Sequence, residues 1–595
     1  MSTTAGTPDA LPTLEVDVAV VGSGAAGLAA ALTAASRGLR VAVFEKGSRL
    51  GGTTAWCSGW MWIPGSKVEP VSPDDPASAR RYLEAELGPK VFAAQQDKID
   101  AFLTEGPAMV EFFSKHFRDT LVFEREDRTP DFHTHPDQRM RGRMVRVKAF
   151  DACELGGELE RLREPLPEFS VMGLAIEAGA DLDAFVTSTG PLKALRTGRL
   201  GQWAAAVGLV LKRLFENWAD QLLHGRGMRL VNGHALVARL VAAAARLEQG
   251  AGGAPGAAGF KRLGLFTDHA VVSLRRGAAR VDGLLVHTPQ GDREVQVRER
   301  VILACGGFPH DMARIHALFP QVLTYTGHHS AAPPENTGDG LRLAEAVGGQ
   351  VGPTFDAPAA LVPVSVRRRA DDSQAVYPHF IDRSKPGTLA VLRNGRRFCN
   401  EAAAYHDIVR SWLANSPQGE PLQAWLVCDY LFLLRFGLGM VKPLSVLPVC
   451  SLASGYLKFG WTLEGLAHRC GINAVALREE VMRHNADAAR ERDANFARGD
   501  SAYDRSQGDP LARGNPCLGP LRGPPYFAVR LHAGSLGTLA GLQTDAQARV
   551  LEASGKPIAG LYACGNDMAA VMGGKYPTNG VTLASAMTFG HIAAR

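Results

Sequence analysis

The sequence predicts an α/β protein with two lobes, the second inserted into the first. Its 595 residues exceed what one hydrophobic core usually organises, and 46% of them are hydrophobic. Residues 16–46 read as an apolar strand, a glycine-rich turn, an Ala/Leu-rich helix and a second apolar strand. Residues 300–307 read as another buried strand that ends in glycines. Both patterns are typical of a parallel sheet that approaches a bound dinucleotide.

The βαβ unit at the start of the chain has the glycine spacing of a dinucleotide-binding turn. Gly22 permits the tight turn, Gly24 lets the main chain approach a pyrophosphate, and Gly27 allows the helix to pack closely on the strand. Glu45 ends the second strand, where a carboxylate can accept hydrogen bonds from ribose hydroxyls. The predicted cofactor contacts in this unit are Gly22, Ser23, Gly24, Ala25, Ala26, Gly27, Glu45 and Lys46.

Charge and composition exclude several classes of partner and cofactor. The net charge of +5 is spread over 65 basic and 60 acidic residues, which is too dilute for a nucleic-acid-binding protein. The nine cysteines include no C-x-x-C pair and no Cys/His spacing suited to zinc, so we expect neither a metal site nor a disulfide framework. The N-terminus lacks the features of a secretory signal, and no apolar stretch is long enough to span a bilayer. We therefore expect a cytoplasmic protein.

A series of motifs along the chain occurs in the order of one flavoprotein family. The motifs are GGTTAWCSGWMWIPG (51–65), RVILACGGF (300–308), ENTGDGLRLAEAVGG (335–349), NGRRFCNEAAAY (394–405), SLGTLAGLQTD (535–545) and LYACGNDMAAVMGGKYPTNGVTLASAMTFGHIAA (561–594). In these segments the sequence resembles the family that joins fumarate reductases to 3-ketosteroid dehydrogenases. The resemblance covers almost the full length of the chain.

The resemblance implies a Rossmann-type FAD-binding domain with an inserted α+β substrate-capping domain. The FAD-binding domain would cover residues 13–345 and 530–595, and the capping domain residues 346–529. Relatives with covalent FAD carry a histidine just before the position of Thr53, whereas this chain has Arg49-Leu50-Gly51-Gly52, so we expect non-covalent FAD. The further FAD contacts that the resemblance implies are Gly52, Thr53, Thr54, Ser58, Gly59, Val271, Cys305, Gly306, Gly307, Asp339, Gly565, Asn566, Thr582 and Leu583.

The residues that bind dicarboxylates in fumarate reductases have no counterpart in this chain. The resemblance places their proton-donating arginine at Tyr405, a carboxylate-binding arginine near Tyr576, and histidines near Leu536 and Gly537. A dicarboxylate would lose its charged partners here, at a cost of about 1.5 to 3 kcal/mol for each missing hydrogen bond. We therefore expect that succinate and fumarate are not substrates.

The C-terminal motif Tyr576-Pro577-Thr578-Asn579-Gly580 is similar to the Tyr-Pro-x-x-Gly motif of 3-ketosteroid dehydrogenases. The resemblance implies that the Tyr576 hydroxyl and the Gly580 N–H bind a ketone oxygen, while Tyr405 takes the α-proton. N5 of the flavin would accept hydride from the β-carbon, which gives an α,β-unsaturated ketone. We therefore expect a small apolar cyclic ketone as substrate, either a steroid or a smaller cyclohexanone-type ring.

The second tyrosine that assists the base in steroid dehydrogenases has no counterpart in this chain. A phenol with an ordinary pKa of about 10 is a poor base at neutral pH, so Tyr405 needs assistance. The corresponding stretch is residues 129–135, which contains no tyrosine. We expect Phe132 to occupy the place of that tyrosine in the substrate pocket. His133 and His135 are either a replacement proton relay or solvated loop histidines.

Residues 145–230 have little counterpart in short relatives and contain an apolar helical stretch at 203–211. One interpretation is a lid or a surface that rests on an anionic membrane. The other is a helical hairpin packed on the FAD-binding domain, or a contact between subunits. The basic residues that would face lipid in the first interpretation are Arg196, Arg199, Lys212, Arg213, Arg226 and Arg229.

The direction of the reaction is left open by the residues. The main hypothesis is ketone desaturation, and the alternative is a reductase of activated alkenes in which Tyr405 donates the proton. A flavin-binding protein with an electron-transfer or structural role would leave the tyrosine pair without a purpose. The sequence does not identify the electron acceptor, for which a quinone and a carrier are both candidates, nor the ring size or the oligomeric state.

Overall fold

Two β-sheets organise the chain, which a computed structural model describes over residues 11–70, 74–171, 174–178, 180–251, 259–319, 328–353, 355–416 and 422–595. The first sheet contains the predicted βαβ unit: Leu14–Val21 pairs in parallel with Val41–Phe44, and helix Ala25–Ser36 connects them. Gly291–Leu303 pairs in parallel with Leu14–Val21, and Pro557–Ala563 pairs in parallel with Gly291–Leu303. The predicted α/β fold class is confirmed, and the carboxyl ends of these strands meet at one edge of the sheet.

The second sheet is built around a strand of 13 residues, Tyr526–Thr538. This strand pairs antiparallel with Ala359–Arg368 and with Ala424–Asp429. Residue 530, where the motifs placed the return to the first domain, lies inside this strand. The other strands of the first sheet are Leu263–Phe266, Ala270–Arg276, Val281–Thr288 and Arg549–Leu551. The other strands of the second sheet are His329–Ser330, Gln374–Pro378, Thr388–Leu392 and Leu457–Gly460. Smaller sheets contain Met61–Trp62, Phe123–Glu126, Met144–Val147, Phe150–Asp151, Arg229–Leu230, Ser170–Val171 and Leu174–Ala175.

The first and last helices of the chain cross at close range. Ala25–Ser36 packs against Val581–Ala594. A Cβ at Gly590 would lie 2.3 Å from the carbonyl oxygen of Ala26, so only glycine permits this approach. The other α-helices are Pro76–His116, Ala180–Ser188, Pro191–Thr197, Leu200–His224, Asn232–Gly250, Met312–Leu318, Asp339–Glu345, Tyr405–Asn415, Tyr430–Phe436, Val449–Ala453, Leu463–Cys470, Ala474–Ala489 and Ala502–Gln507.

The longest helix in the segment 145–230 is Leu200–His224, and its large apolar side chains face outward. Phe215 is 66% exposed and Trp218 is 57% exposed, and Leu211 and Leu222 are exposed to a similar degree. The spacing of four, three and four residues puts these side chains on one face of the helix, which we call the apolar stripe. A helix that packs on a core has the opposite arrangement. Among the described residues, no helix combines the length and the apolar character that crossing a bilayer requires.

Candidate active site

A cavity of about 500 Å³ lies between the carboxyl ends of the parallel strands and the second sheet. The strand ends at Val21, Phe44 and Ala304 line one part of it, and the second lobe contributes residues such as Phe380 and Tyr405. Of the site residues predicted from the sequence, all line the cavity except four. The four exceptions are Gly27, Gly59, Gly307 and Phe132.

The glycine-rich turn is shaped by contacts that leave no room for side chains. Gly22 has a φ of +105°, and a Cβ there would lie 2.2 Å from the carbonyl oxygen of Ala304. A Cβ at Gly27 would lie 2.0 Å from the carbonyl oxygen of Gly22, so Gly27 serves helix packing instead of lining the cavity. The space beside Gly24 is open, since a Cβ there would have Thr54 Oγ1, at 3.7 Å, as its nearest neighbour. The main chain at Gly24 is therefore free to approach a phosphate.

Glu45 is held in place by the turn that it faces. Its carboxylate accepts hydrogen bonds from the Ser23 N–H at 3.1 Å, the Ser23 hydroxyl at 2.6 Å and the Gly47 N–H at 2.8 Å. Next to it, Lys46 Nζ donates to Asp339 at 2.5 Å. Asp339 therefore neutralises Lys46 at the cavity wall. These contacts fix Glu45 at the position where the sequence predicts a ribose contact.

The segment after Glu45 closes over the start of the first helix. The Gly51 N–H donates to Ser23 Oγ at 3.0 Å, and the Ala25 N–H donates to Thr54 Oγ1 at 3.0 Å. Asn336 Nδ2 donates to Thr53 Oγ1 at 3.0 Å. Gly59 has a φ of +72°, and a Cβ there would lie 2.6 Å from the backbone of Asn232, so Gly59 serves packing against the neighbouring helix.

Asp567 joins the glycine-rich segments that follow the strands Gly291–Leu303 and Pro557–Ala563. Its carboxylate accepts from the Cys305 N–H at 2.5 Å and from the Gly307 N–H at 3.0 Å. Burial raises the pKa of Asp567 to about 6, although these two N–H groups act in the opposite direction. Sequence reasoning missed this residue, although it stands in the motif LYACGND beside the predicted contacts Gly565 and Asn566.

Five cavity-lining residues each have a buried side-chain polar atom without a hydrogen-bond partner among the described residues, namely Trp60, Arg163, Glu168, His234 and Glu335. Trp60 Nε1 and His234 Nε2 are both buried and line the cavity. Burial lowers the pKa of His234 to about 4, so its ring is neutral at pH 7. With the open space at Gly24 and the fixed carboxylate of Glu45, these groups fit a large polar ligand with an aromatic part.

Tyr405 and Tyr576 converge at the end of the cavity that lies beside the C-terminal helix. Their ring centroids are 5.4 Å apart, and both side chains are buried. The Tyr576 hydroxyl lies 3.3 Å from Thr582 Oγ1. Gly580, with a φ of +70°, precedes helix Val581–Ala594, and a Cβ there would lie 2.3 Å from the carbonyl oxygen of Trp60. The structure thus brings together the three residues predicted to act on the ketone.

Burial governs the acidity of both phenols. Burial raises the pKa of Tyr405, and its neighbour Tyr576 raises it further. Burial likewise raises the pKa of Tyr576, against the effect of its hydrogen bond with Thr582. A group that opposes this effect at Tyr405 is therefore needed if it is to act as a base.

Phe132 packs behind the tyrosines instead of lining the cavity. Its ring centroid lies 5.8 Å from that of Tyr405 and 6.3 Å from that of Tyr576. It also lies 4.6 Å from the ring of Tyr503, a buried cavity residue that sequence reasoning missed. Phe132 thus packs among the aromatic rings, and it does not form part of the pocket surface, where the sequence predicted it.

His133 connects two helices and does not reach the cavity. Its Nε2 lies 2.7 Å from Asp407 of helix Tyr405–Asn415, and its Nδ1 lies 2.5 Å from Glu86 of helix Pro76–His116. Burial lowers the pKa of His133, but the two carboxylates outweigh burial and raise it to about 10. His135 accepts a hydrogen bond from the Asp137 N–H and also lies outside the cavity lining. Neither histidine contacts the cavity, which a proton relay to Tyr405 requires.

The far end of the cavity is apolar. Helix Ala180–Ser188, from the segment 145–230, forms part of its wall. Polar side chains there include Lys442, whose pKa burial lowers to about 8. The apolar lining residues are Leu166, Phe169, Ile176, Leu182, Phe185, Val186, Phe380, Ile381, Phe436, Leu438 and Val441.

One protein family and several named dehydrogenases are similar to this chain. The chain matches the family described as FAD binding domain over residues 17–583. It is 32% identical over 587 residues to the 4-oxocyclohex-2-ene-1-carboxylate 5-dehydrogenase of Sinomonas cyclohexanicum, with 98% of this chain and 94% of that protein covered. It is 34% identical over 595 residues to the 3-oxosteroid 1-dehydrogenase of Mycobacterium tuberculosis, with 98% of each covered.

A solved structure agrees with these similarities. The 3-ketosteroid delta1-dehydrogenase from Sterolibacterium denitrificans, in complex with 1,4-androstadiene-3,17-dione, aligns with a TM-score of 0.85 and 31% identity, over 98% of this chain and 99% of that one. The cavity described above fits the nucleotide and ring system of FAD, and the cofactor of this protein is FAD. The chain belongs to the flavoprotein family that joins 3-ketosteroid dehydrogenases to fumarate reductases.

Proposed function

We propose that this protein is an FAD-dependent dehydrogenase that introduces a C=C bond next to the carbonyl of a cyclic ketone. The observation that carries the proposal is the convergence of Tyr405, Tyr576 and Gly580 at one end of the FAD cavity. The names of the relatives support a ring ketone as the substrate class. The alternative, alkene reduction, uses the same residues in reverse.

The two phenols and one backbone amide have different roles in the proposed reaction of the ketone. The Tyr576 hydroxyl and the Gly580 N–H donate to the ketone oxygen, where negative charge develops as an enolate forms. Gly580 stands at the N-terminus of helix Val581–Ala594, whose dipole favours that charge. Tyr405 Oη takes the α-proton: the C–H bond breaks, its electron pair forms the enolate, and an O–H bond forms. FAD, when bound, supplies the acceptor for the hydride that leaves the β-carbon.

The wall of the cavity supports an apolar substrate. Helix Ala180–Ser188 and the segment around Leu438 surround the space beyond the tyrosines with aliphatic and aromatic side chains. We assign residues 346–529 to a substrate-capping domain, which supplies Tyr405, and residues 13–345 and 530–595 to the FAD-binding domain. FAD is held non-covalently in this proposal, because residues 47–55 contain no histidine.

Anaerobic titration of the oxidised enzyme with ketones tests the function and sorts the substrate by size. We expect a saturated ring ketone to bleach the visible absorbance of the flavin, and the unsaturated product to appear in equal amount. A four-ring 3-ketosteroid and a 4-oxocyclohexanecarboxylate are the two probes, because relatives act on both sizes of ring. If succinate bleaches the flavin and neither ketone does, the proposal is wrong.

We also propose that the apolar stripe rests on a lipid surface. The preceding helix also carries exposed apolar side chains, Leu192 and Leu195. Lys212, beside the stripe, is exposed and forms an ion pair with Glu216 at 3.8 Å. Helix Ala180–Ser188, which packs against Leu200–His224, forms the cavity wall on its other side. A lipid surface at this place would present an apolar ketone to the cavity.

Co-sedimentation with anionic phosphatidylglycerol vesicles tests the lipid contact. We expect the protein to pellet with vesicles, and the double variant Phe215→Ser, Trp218→Ser to remain in the supernatant while flavin bleaching is retained. The matched control is the double variant Val475→Ser, Met482→Ser, which removes exposed apolar side chains from another helix. If the wild-type protein stays in solution as a dimer that the stripe variant splits, the stripe is a subunit contact and the lipid proposal is wrong.

A further inference from the structure

The proposed base, Tyr405, lacks the assistance of a second tyrosine at Phe132. Burial raises the pKa of Tyr405, and the phenyl ring of Phe132 has no hydrogen to donate to a phenolate oxygen. His133 and His135 do not line the cavity. Another part of the chain must therefore stabilise a negative charge on Tyr405 if this residue is to take a proton at neutral pH.

Tyr503 approaches the same aromatic cluster from a different direction. It lies in helix Ala502–Gln507, is 2% exposed and lines the cavity. Its ring centroid is 4.6 Å from that of Phe132, whose ring in turn contacts Tyr405 and Tyr576. The Tyr503 hydroxyl interacts with the side chains of Asn579 and Arg383. A phenol is thus present beside Phe132 although the sequence segment 129–135 supplies none.

Arg383 is a buried cation with unused hydrogen-bonding capacity. It is 2% exposed and forms no ion pair with a carboxylate of the described residues. Its Nε donates to the carbonyl oxygen of His379 at 2.8 Å, and its Nη1 donates to those of Ala403, at 2.7 Å, and Glu401. Nη2 is buried without a hydrogen-bond partner within the described chain. Burial of a guanidinium nitrogen without a hydrogen-bond partner costs free energy, which an anion formed nearby would offset.

The contacts of Arg383 bring its charge to the start of the helix that carries Tyr405. Ala403, which accepts a hydrogen bond from Arg383, stands two residues before Tyr405. The Arg383 guanidinium lowers the pKa of Tyr405 and also that of Tyr503, in both cases against the effect of burial. A negative charge on Tyr503 would raise the pKa of Tyr405, but burial raises the pKa of Tyr503 to about 12, so Tyr503 is a neutral phenol at pH 7 and assists Tyr405 only as a hydrogen-bond donor. The nearby carboxylate of Glu401 is engaged by Arg397 and Arg498, so it does not neutralise Arg383.

We propose that Arg383 and Tyr503 are positioning residues that stabilise the phenolate of Tyr405 and replace the tyrosine that Phe132 excludes. The inference rests on the proposed function. The α-proton forms an O–H bond with the Tyr405 phenolate, and the electron pair of the broken C–H bond becomes the enolate, whose negative charge lies on the substrate oxygen. FAD, when bound, would supply the acceptor for the hydride that leaves the β-carbon afterwards. The charge that Arg383 stabilises therefore passes from Tyr405 to the substrate oxygen in this step.

Other charged and titratable groups also lie near Tyr405, Tyr503 and Arg383. His406 stacks on the ring of Tyr576 at 5.7 Å, and burial lowers its pKa to about 4, so it is neutral at pH 7. The charged and titratable groups that face Tyr405, Tyr503 and Arg383 are Tyr576, His406, His379, Asp382, Cys399, Glu401, Arg498 and Asp504. A shift in the pH profile of a Tyr503 variant would therefore report on Tyr405.

The test is the pH profile of flavin bleaching by a saturated ketone in the holoenzyme Tyr503→Phe. We expect the rate at pH 7 to fall on the order of 10-fold to 100-fold, with the KM little changed. The difference in bleaching rate between Tyr503→Phe and the wild-type protein should shrink as the pH rises, because Tyr405 then ionises without assistance. Tyr526→Phe, a variant of a tyrosine in the same lobe that does not line the cavity, should match wild type.

A second measurement isolates proton removal from hydride transfer. With the flavin reduced beforehand, loss of deuterium from the α-carbon of the ketone should slow in Tyr503→Phe and recover at high pH. Arg383→Lys, which retains a cation, should lose less than Arg383→Met in the same assay. An unchanged rate, or a loss of equal size at every pH, would overturn the inference. The proposed function fails separately, if no saturated ring ketone bleaches the flavin of the wild-type protein.

Discussion

Replacement of Tyr405 with phenylalanine is expected to lower the rate of flavin bleaching by a saturated ketone by about 10² to 10⁴ fold, the usual contribution of a general base. The phenyl ring keeps the contacts that Tyr405 makes with Phe380 at 5.2 Å and with Tyr576 at 5.4 Å, so the fold should be retained. Only the oxygen that receives the proton is lost. Anaerobic stopped-flow absorbance of the flavin measures the rate.

The comparison with Tyr562→Phe makes this prediction specific. Tyr562 lies in the strand Pro557–Ala563 and outside the cavity lining, so its variant should bleach at the wild-type rate. The Tyr405 variant should stay yellow after gel filtration, since the residue has no predicted contact with FAD. Full activity in Tyr405→Phe would remove Tyr405 as the base and leave the proton acceptor to be sought elsewhere on the cavity wall.

The nucleotide end of the site could be predicted because its signals are local. Gly22 and Gly27 stand within one βαβ unit, and a Cβ at Gly27 would meet Gly22 and Val20 of the same unit. The contact that a Cβ at Gly22 would make with Ala304 involves a distant strand, and the glycine spacing does not predict it. Glu45 ends the adjacent strand, so sequence spacing alone places it near the turn. The same holds for Tyr576 and Gly580, which share one motif. In each case the residues that must meet are separated by a single structural element.

The support around Tyr405 could not be predicted, because it depends on tertiary contacts between distant segments. Tyr503 and Arg383 are separated by more than a hundred residues, and neither belongs to a periodic pattern or a glycine motif. Phe132 was expected in the pocket on the basis of alignment to a tyrosine. The structure instead turns its ring toward the other aromatic residues. A sequence motif places such a segment near the site but does not determine its orientation.

The apolar stripe illustrates a different limit of sequence reasoning. The spacing of Leu211, Phe215, Trp218 and Leu222 predicts a helix with one apolar face, but it does not say whether that face is buried. Whether the apolar face of the helix is buried depends on whether another element of the fold packs against it. In this chain helix Ala180–Ser188 packs against the long helix, while the apolar stripe stays exposed.

The largest effect on stability is expected from Glu401→Gln, four residues before the proposed base. Glu401 accepts from Arg397 at 2.8 and 2.6 Å, from Arg498 at 3.0 Å and from the Ala390 N–H at 3.0 Å, and all three side chains are almost fully buried. Loss of the carboxylate leaves the buried Arg498 without an ion pair among the described residues, while Arg397 keeps its ion pair with Asp493 at 2.8 Å. We expect a loss of about 3 to 5 kcal/mol in the free energy of unfolding, measured by urea denaturation.

The pH dependence of unfolding distinguishes the contribution of this ion cluster to stability from that of apolar packing. Burial raises the pKa of Glu401, but Arg397 and Arg498 outweigh burial and lower it to about 2. Its stabilising effect is therefore fully present above the pKa of an unfolded glutamate, about 4.3, and is lost as the pH falls toward 2. Glu401→Gln should lack this part of the acid dependence. Glu479→Gln, which removes an exposed partner of Arg396, should stay within about 0.5 kcal/mol of wild type. Equal stability of the two variants would mean that the ion cluster around Glu401 contributes nothing to the free energy of unfolding.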